Sequence, residues 1–443
     1  MKLSPSQVLA LGFAGLILLG ALLLTMPMAS KDGQSLSFLN ALFTATSAVC
    51  VTGLVVVDTG SHFTPFGQFV IIFLIQVGGL GFMTFSTLAA ILIGKKIGLK
   101  ERMVIQESFN QDTLAGLVKL TRNVLWVTLI IEGAGGLILT LRFLADFPLG
   151  RALAFGFFHA VSSFCNAGFD LFGQVFGSYS SITHYVDDWI VTLTVGGLII
   201  LGGIGFPVIM ELVRFPRKKR LSLHSKLVIV MTVVLIGVGA LLIFLIEFAN
   251  PKTIGGLSVS GKFLGALFQS ITPRTAGYNS LDISKLRTGT WFIMIILMFI
   301  GASPSSTGGG IKTTTFGVLV ATIITSIKGR QDAELFERHI PTDIIYKAIT
   351  ILTIALSWVS VATLVMSLVE PYAFIRLFFE VMSAFGTVGL TTGITPDLTV
   401  ISKIIIIITM FIGRVGPVTI LIALSRTEKH NSVKFVEERL MIG

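Results

Sequence analysis

Charge is what this sequence has least of. Only 13% of its 443 residues are Asp, Glu, Lys or Arg against 53% hydrophobic residues, and the mean hydropathy is +0.89. A chain of that balance cannot close into a water-soluble globule without exposing large apolar surfaces, so its solvent is lipid. Cysteine is nearly absent: Cys50 and Cys165 supply neither a disulfide framework nor a C-x₂-C metal spacing. Catalytic signatures are missing as well. There is no H-E-x-x-H, no G-x-S-x-G and no clustered His-Asp-Ser set, and His62, His159, His184, His224, His339 and His430 are scattered, which argues against a membrane enzyme. The polar connections are short and none holds a nucleotide fold, so no cofactor is expected in this chain.

What is present is a series of apolar runs. A hydrocarbon layer of about 30 Å takes about 20 helical residues per crossing. Eight stretches qualify, near 7–29, 66–93, 122–144, 189–213, 224–249, 290–325, 343–369 and 401–424. The first also resembles a secretory signal, with Lys2, a run from Val8 to Leu24 and the small pair Ala29-Ser30. Its apolar core is longer than a usual signal core, and removing it would break the repeat described next. The net charge of +10 raises the alternative of nucleic acid, but the Lys and Arg gather in alternate connections. One face carries roughly twice as many as the other, the positive-inside pattern. That places both termini and the loops near 94–122, 214–226 and 328–347 on the cytoplasmic side.

Four segments between paired crossings are too short and too rich in small residues to be crossings, yet too apolar for ordinary loops. They read ALFTATSAVCVTGL (41–54), GFFHAVSSFCNAGF (156–169), GALFQSITPRTAGY (265–278) and LFFEVMSAFGTVGL (377–390). Each opens with an aromatic-rich helical turn and ends in one glycine at a fixed place: Gly53, Gly168, Gly277 and Gly389, spaced 115, 109 and 112 residues apart. A period that regular implies four copies of one unit: helix, half-helix, glycine loop, helix. The expected organisation is repeat 1 over 1–94, cytoplasmic loop and repeat 2 over 95–214, loop and repeat 3 over 215–327, loop and repeat 4 over 328–425, and a tail over 426–443. The fold class is all-α polytopic membrane protein, with eight transmembrane helices and four re-entrant half-helices in pseudo-fourfold symmetry around one pore.

Non-helical backbone at membrane depth is tolerated only where it is buried in protein or lines a watery cavity. Four such loops around one axis present carbonyl oxygens that can replace the hydration shell of a monovalent cation, and glycine permits the backbone angles that aim them. The filter candidates are Val51-Thr52-Gly53, Asn166-Ala167-Gly168, Thr275-Ala276-Gly277 and Thr387-Val388-Gly389. Asp58, Asp170, Asp282 and Asp397 follow the four glycines and are expected to form an external funnel that concentrates cations.

Thr387-Val388-Gly389-Leu390 resembles a reduced form of the K⁺-channel filter T-V-G-Y-G, and Thr275-Ala276-Gly277-Tyr278 is similar. With its fourfold plan and one glycine per filter, essentially the whole chain resembles the Trk/Ktr/HKT superfamily of K⁺ transporters, and within it the bacterial Ktr-type membrane subunits. Two departures from a true K⁺ channel stand out: the second filter glycine is absent everywhere, and the residue two before the glycine is Val51, Asn166, Thr275 or Thr387. An asymmetric filter of this kind is expected to select K⁺ over Na⁺ less stringently. The resemblance implies K⁺ uptake stimulated by Na⁺, a homodimer, and a cytosolic ring of nucleotide-binding regulatory subunits of the KtrA type. Arg217 to Arg220 and the tail from Ser425 are candidate contacts for that ring, although lipid headgroups explain the same charges equally well.

The second crossings share glycine-rich centres: Gly78-Gly79-Leu80-Gly81-Phe82, Gly202-Gly203-Ile204-Gly205-Phe206 and Gly413-Arg414-Val415-Gly416-Pro417. Close helix packing explains glycines there. In the third repeat alone the counterpart expands into a polar run from Gly301 to Thr315, which cannot be a lipid-facing helix. A phosphate-binding P-loop needs G-K-[ST], and Ile311 separates Gly310 from Lys312. A flexible loop breaking the sixth crossing fits better, and the resemblance implies that this loop is the gate. Gly308, Gly309 and Gly310 would supply mobility, and Lys312 a positive charge in the cation path. Arg414, midway along the last crossing, is expected to project below the filter, repel cations and pair with a carboxylate or loop carbonyls. Glu132 and Glu247 read as structural; Glu380 is a candidate hydrogen-bond acceptor behind the fourth filter. The rival reading is a secondary transporter with discontinuous helices. Such folds usually need an acidic ion site in the membrane core, whereas the mid-membrane charges that stand out here are basic.

Overall fold

The computed structural model describes residues 4–81, 84, 98–108, 117–330 and 332–424. The end of the expected second crossing (66–93) and the tail from Ser425 lie outside the described residues. In chain order, α1 (Pro5–Thr25), α2 (Phe38–Val49) and α3 (Pro65–Leu80) are followed by α4 (Leu99–Ser108), α5 (Leu117–Phe143), α6 (Leu149–Phe164), α7 (Trp189–Gly203) and α8 (Phe206–Lys218). Next come α9 (Leu223–Glu247), α10 (Val259–Ile271), α11 (Thr288–Phe299) and α12 (Thr313–Ile327). A minimal antiparallel hairpin, β1 (Glu334–Leu335) and β2 (Arg338–His339), precedes α13 (Thr342–Val369), α14 (Phe374–Gly386), α15 (Val400–Val415) and α16 (Pro417–Leu424).

Hydroxyl caps mark where many helices start. Ser4 makes a capping box with Gln7 at the head of α1, and Ser37, Thr64, Ser222, Ser258 and Thr399 accept from backbone N–H groups at the heads of α2, α3, α9, α10 and α15. Helices α1, α9 and α13, and α5 from Thr121, are each long and apolar enough to cross a bilayer. Their outward faces carry large apolar side chains such as Leu18, Leu22, Trp126, Ile130, Leu141, Val233, Leu245 and Leu368, all exposed. Patches of that extent belong against lipid. The protein is a multi-pass membrane protein.

The helices that follow the half-helices pack in a cyclic order. α3 lies against α6, α7 against α10, α11 against α14, and α15 returns to α2. These same helices are interrupted more often than the sequence suggested. A break was expected in the third only, yet α7 stops before Gly205 (φ 91°) and α15 before Gly416 (φ 95°), while α3 ends at Gly81 (φ 81°). A positive φ cannot be continued as a right-handed helix, and glycine adopts it at little cost. Pro417 then opens α16 at its first position, where a missing N–H costs nothing. At Gly205 the chain turns sharply, with α7 and α8 meeting at 103°. The signal lay in the repeated glycine followed by Phe or Pro, which glycine packing alone did not require.

Candidate ion pathway

Each half-helix hands over to an extended segment in which φ changes sign twice. Val51, Asn166, Thr275 and Thr387 have φ of 50°, 59°, 70° and 50°, and the glycines two positions on have 90°, 69°, 78° and 94°. Alternation of this kind gathers successive N–H groups on one side. Those N–H groups are tied back to the half-helices: Thr52 to the Ser47 carbonyl (2.8 Å) and Gly53 to Ser47 Oγ (3.0 Å), and Val388 and Gly389 to the same atoms of Ser383 (2.8 and 3.0 Å). Ala167 donates to the Ser162 carbonyl (2.8 Å) and Ala276 to the Thr272 carbonyl (2.9 Å). A trans peptide sets its C=O opposite its N–H. The carbonyls of Val51, Thr52, Asn166, Thr275, Thr387 and Val388 therefore point away from the half-helices.

The four segments touch through their glycines. A methyl group on Gly53 would strike the Ala167 carbonyl, one on Gly168 the Ala276 carbonyl, one on Gly277 the Val388 carbonyl, and one on Gly389 the Thr52 carbonyl. The sequence of contacts runs from the first segment to the second, third and fourth and back to the first. Glycine is required twice over at each position, by the left-handed backbone and by the neighbouring carbonyl.

The residues behind this ring were only partly legible. Ser47 and Ser383 accept from glycine N–H groups, whereas Ser162 Oγ and Thr272 Oγ1 donate to the carbonyls of Phe169 and Tyr278 (both 2.8 Å). Tyr278 Oη crosses to the Phe169 carbonyl at 2.9 Å. A serine six positions before the glycine in three segments was the available signal. Glu380 accepts from Thr391, the Thr392 N–H (3.1 Å) and Thr395 Oγ1 (2.9 Å), strapping the loop beyond Gly389 to α14. Glu132 accepts from Gln76 Nε2 (3.1 Å) and lies 3.7 Å from Cys165 Sγ, while Glu247 gathers Thr290, Thr253, Asn250 and the Arg287 N–H.

On one side of the four segments, a cavity of about 50 Å³ is lined by all four glycines together with Asp58, Asp170 and Tyr179. Asp58 is also a structural cap, accepting from the N–H groups of Ser61 (2.7 Å) and Tyr179 (2.8 Å). Asp282 and Asp397 do not line it. Asp282 is half exposed and pairs with Lys285 at 2.9 Å; burial works to raise its carboxyl, but Ser284 and Lys285 hold it below its ordinary value. Asp397 ends a single turn, Thr395–Asp397, well beyond its glycine. Asp58 and Asp282 each stand five residues beyond their glycines, so the different paths of the four loops, not their spacing along the chain, leave only Asp58 and Asp170 lining the cavity.

On the opposite side, a cavity of about 300 Å³ brings Lys312, Arg414, Gly308 and Gly310 together with Leu9, Phe13, Glu107 and Lys347. The Arg414 guanidinium donates to the carbonyls of Thr307, Gly78 and Gly79, the last at 2.9 Å. It therefore joins the 301–312 loop to the end of α3 through carbonyls rather than a carboxylate. Lys312 Nζ donates to the Gly308 carbonyl at 2.7 Å. The loop is held on several sides: Gly309 N–H to Thr387 Oγ1 (3.0 Å), Thr307 Oγ1 to the Phe164 carbonyl (3.0 Å), and Ser303 N–H to the Gly203 carbonyl (2.9 Å). Its glycines serve closeness as well as freedom. A Cβ on Gly308 would meet the Thr275 side chain and one on Gly309 the Thr387 side chain, so the loop lies directly against the third and fourth glycine segments. Glu107, which accepts from Ser6 Oγ at 3.0 Å, was not singled out by sequence because nothing in α4 tells that it faces the cavity.

Comparison with known proteins converges on this architecture. The family described as TrkH, Cation transport protein, matches residues 14–436. The chain is 44% identical over 443 residues to the Ktr system potassium uptake protein B of Bacillus subtilis, covering 100% of this chain and 98% of that protein. It is 40% identical over 448 residues to the potassium/sodium uptake protein NtpJ of Enterococcus hirae, again covering 100% and 98%. Among solved structures, the potassium transporter TrkH from Vibrio parahaemolyticus superposes with a TM-score of 0.74 at 18% identity, covering 95% of this chain and 84% of that one, a likeness of fold. The family consists of cation transporters rather than enzymes. On the matched length and the full-length identities, the chain belongs to the TrkH/Ktr family of cation transport proteins.

Proposed function

We propose that this chain is the membrane subunit of a K⁺ uptake system, conducting monovalent cations through one pore made of four tandem units in pseudo-fourfold arrangement. The observation that carries the reading is the closed ring of contacts in which each filter glycine abuts a carbonyl of the next segment. Carbonyls directed to a common centre can replace the water shell of a K⁺ ion. The relatives named potassium uptake proteins support K⁺ as the cargo. The 301–312 loop is the gate of this pore, with Arg414 and Lys312 as the charges that hold it shut. Asp58 and Asp170 collect cations at the outer mouth. The Ktr-system name of a relative supports a further subunit in the system. That this subunit is cytosolic and nucleotide-binding, that this chain is a homodimer with both termini cytoplasmic, and that Na⁺ stimulates uptake are parts of the same proposal.

The test is cation influx into liposomes holding the purified chain, with K⁺ and Na⁺ compared in parallel. K⁺ flux that Gly277→Ser or Gly389→Ser shifts toward Na⁺ is the expected result, and flux of unaltered selectivity in both variants sinks the filter assignment. The helix breaks at Gly205 and Gly416 favour a second reading, a coupled secondary transporter with discontinuous helices. Uptake that requires a second ion gradient even when K⁺ itself runs downhill would decide for it.

A further inference from the structure

Helix α8 has two unlike faces, and among the described residues no element covers one of them. Phe206, Val208 and Ile209 are buried, whereas Leu212, Val213 and Phe215 are 39%, 69% and 42% exposed, beside the exposed Arg214, Arg217, Lys219 and Arg220. The 103° turn at Gly205 lays α8 close to the membrane plane when α7 crosses it. Its orientation is fixed at its start and near its middle. Glu211 accepts from the N–H and Oγ of Ser222 at the head of α9, both at 3.0 Å, and the Phe206 N–H donates to the Ser305 carbonyl at 2.9 Å. That second bond ties α8 to the loop beneath the filter, and Gly205 leaves room there for the Pro304 carbonyl.

We propose that α8 lies in the cytoplasmic headgroup layer, binds anionic lipid, and transmits leaflet charge to the 301–312 loop through the Phe206–Ser305 bond. Exposed apolar side chains interleaved with arginines suit a half-immersed interfacial helix, and a cytoplasmic leaflet is the anionic surface such a helix meets. Leu212, Val213 and Phe215 enter the acyl boundary while Arg214 and Arg217 engage phosphates. Drawing α8 toward the headgroups pulls Ser305 away from the filter, so anionic lipid favours opening. The coupling half of this inference rests on the transport function proposed above, whereas the lipid-binding half does not.

Cys50 and Cys165 are fully buried, so a Val213→Cys variant of the full chain takes a fluorescent label at that position. In liposomes the label is expected to be quenched by brominated phosphatidylglycerol more strongly than by brominated phosphatidylcholine. Arg214→Gln with Arg217→Gln should weaken that preference by about fivefold per residue. Equal quenching by the two lipids overturns the selectivity for anionic lipid; no quenching by either, as when a cytosolic partner rather than the leaflet is meant to cover this face, overturns the site. K⁺ influx is expected to rise at least about twofold with anionic lipid in the unmodified chain and to stay flat in the double variant. Equal rises in both overturn the coupling. Absence of influx in every lipid overturns the coupling and the transport function together, and leaves the quenching result to stand or fall separately.

Discussion

The two ends of the proposed pathway carry charges of opposite sign. The outer cavity is small, about 50 Å³, and carries Asp58 and Asp170; the inner one is about 300 Å³ and carries Arg414 and Lys312. Carboxylates at a narrow mouth raise the local cation concentration, whereas cations in a wide chamber repel the same ions and hold a loop by its carbonyls. Asp170 accepts from the Phe172 N–H of its own loop, and Asp58 from Ser61 nearby and from Tyr179 in a distant segment. Of the inner groups, Arg414 bonds to backbone of other segments, at Thr307, Gly78 and Gly79, and Lys312 to the Gly308 carbonyl of its own loop. On the proposed function, a cation is attracted at the carboxylate end and opposed at the cationic end.

The comparison breaks first at the ring that separates the two ends. Gly389→Ala places a methyl against the Thr52 carbonyl at a left-handed position. We expect K⁺ influx into liposomes to fall by about a hundredfold or more, since the misfit and the strain together cost roughly 3 kcal/mol. The inner end comes next. Arg414→Gln removes one charge and three bonds to carbonyls, and resting K⁺ flux should rise about tenfold, the effect of about 1.4 kcal/mol off the barrier; unchanged flux in a stable protein removes Arg414 from the gate.

The outer end gives smaller and more selective effects. Asp170→Asn should raise the K⁺ concentration for half-maximal uptake by a few-fold, roughly, at low ionic strength, and less at high. Asp282→Asn, away from the cavity, should leave it unchanged, and an equal effect from both would restore the fourfold funnel. The smallest effect concerns Glu370, outside the α13 crossing, which accepts from the Thr399 N–H and Oγ1 (both 2.8 Å). Burial acts to raise its carboxyl, but hydrogen bonds from Ser402 and Thr399 prevail and hold it below its ordinary value. Its stabilisation is therefore present above the ordinary carboxylate range, near pH 4.3, and lost as pH falls through the lower folded value. Glu370→Gln should cost about 1 kcal/mol of stability at neutral pH and flatten the acid limb of thermal unfolding.

Much of the site was readable because its determinants are local. Hydropathy, the four glycine segments and the polar interruption from Gly301 to Thr315 are properties of contiguous residues, and the structure brings the twelve filter candidates and the loop into adjoining places. The breaks at Gly205 and Gly416 were written in the sequence but were masked by a sufficient alternative, since helix packing also favours glycine.

Composition and pattern by themselves determined that the chain lives in lipid, that four like segments carry single glycines, and that one crossing holds a loop. Only the tertiary structure decided which carbonyl each glycine faces, which two aspartates reach the mouth, and that Arg414 clasps Thr307, Gly78 and Gly79. The reason is distance along the chain. Helix periodicity and glycine conformation are set by neighbours a few residues apart, whereas Gly389 meets Thr52 and Arg414 meets Gly78 across more than three hundred residues, and such pairings exist only once the ring has closed.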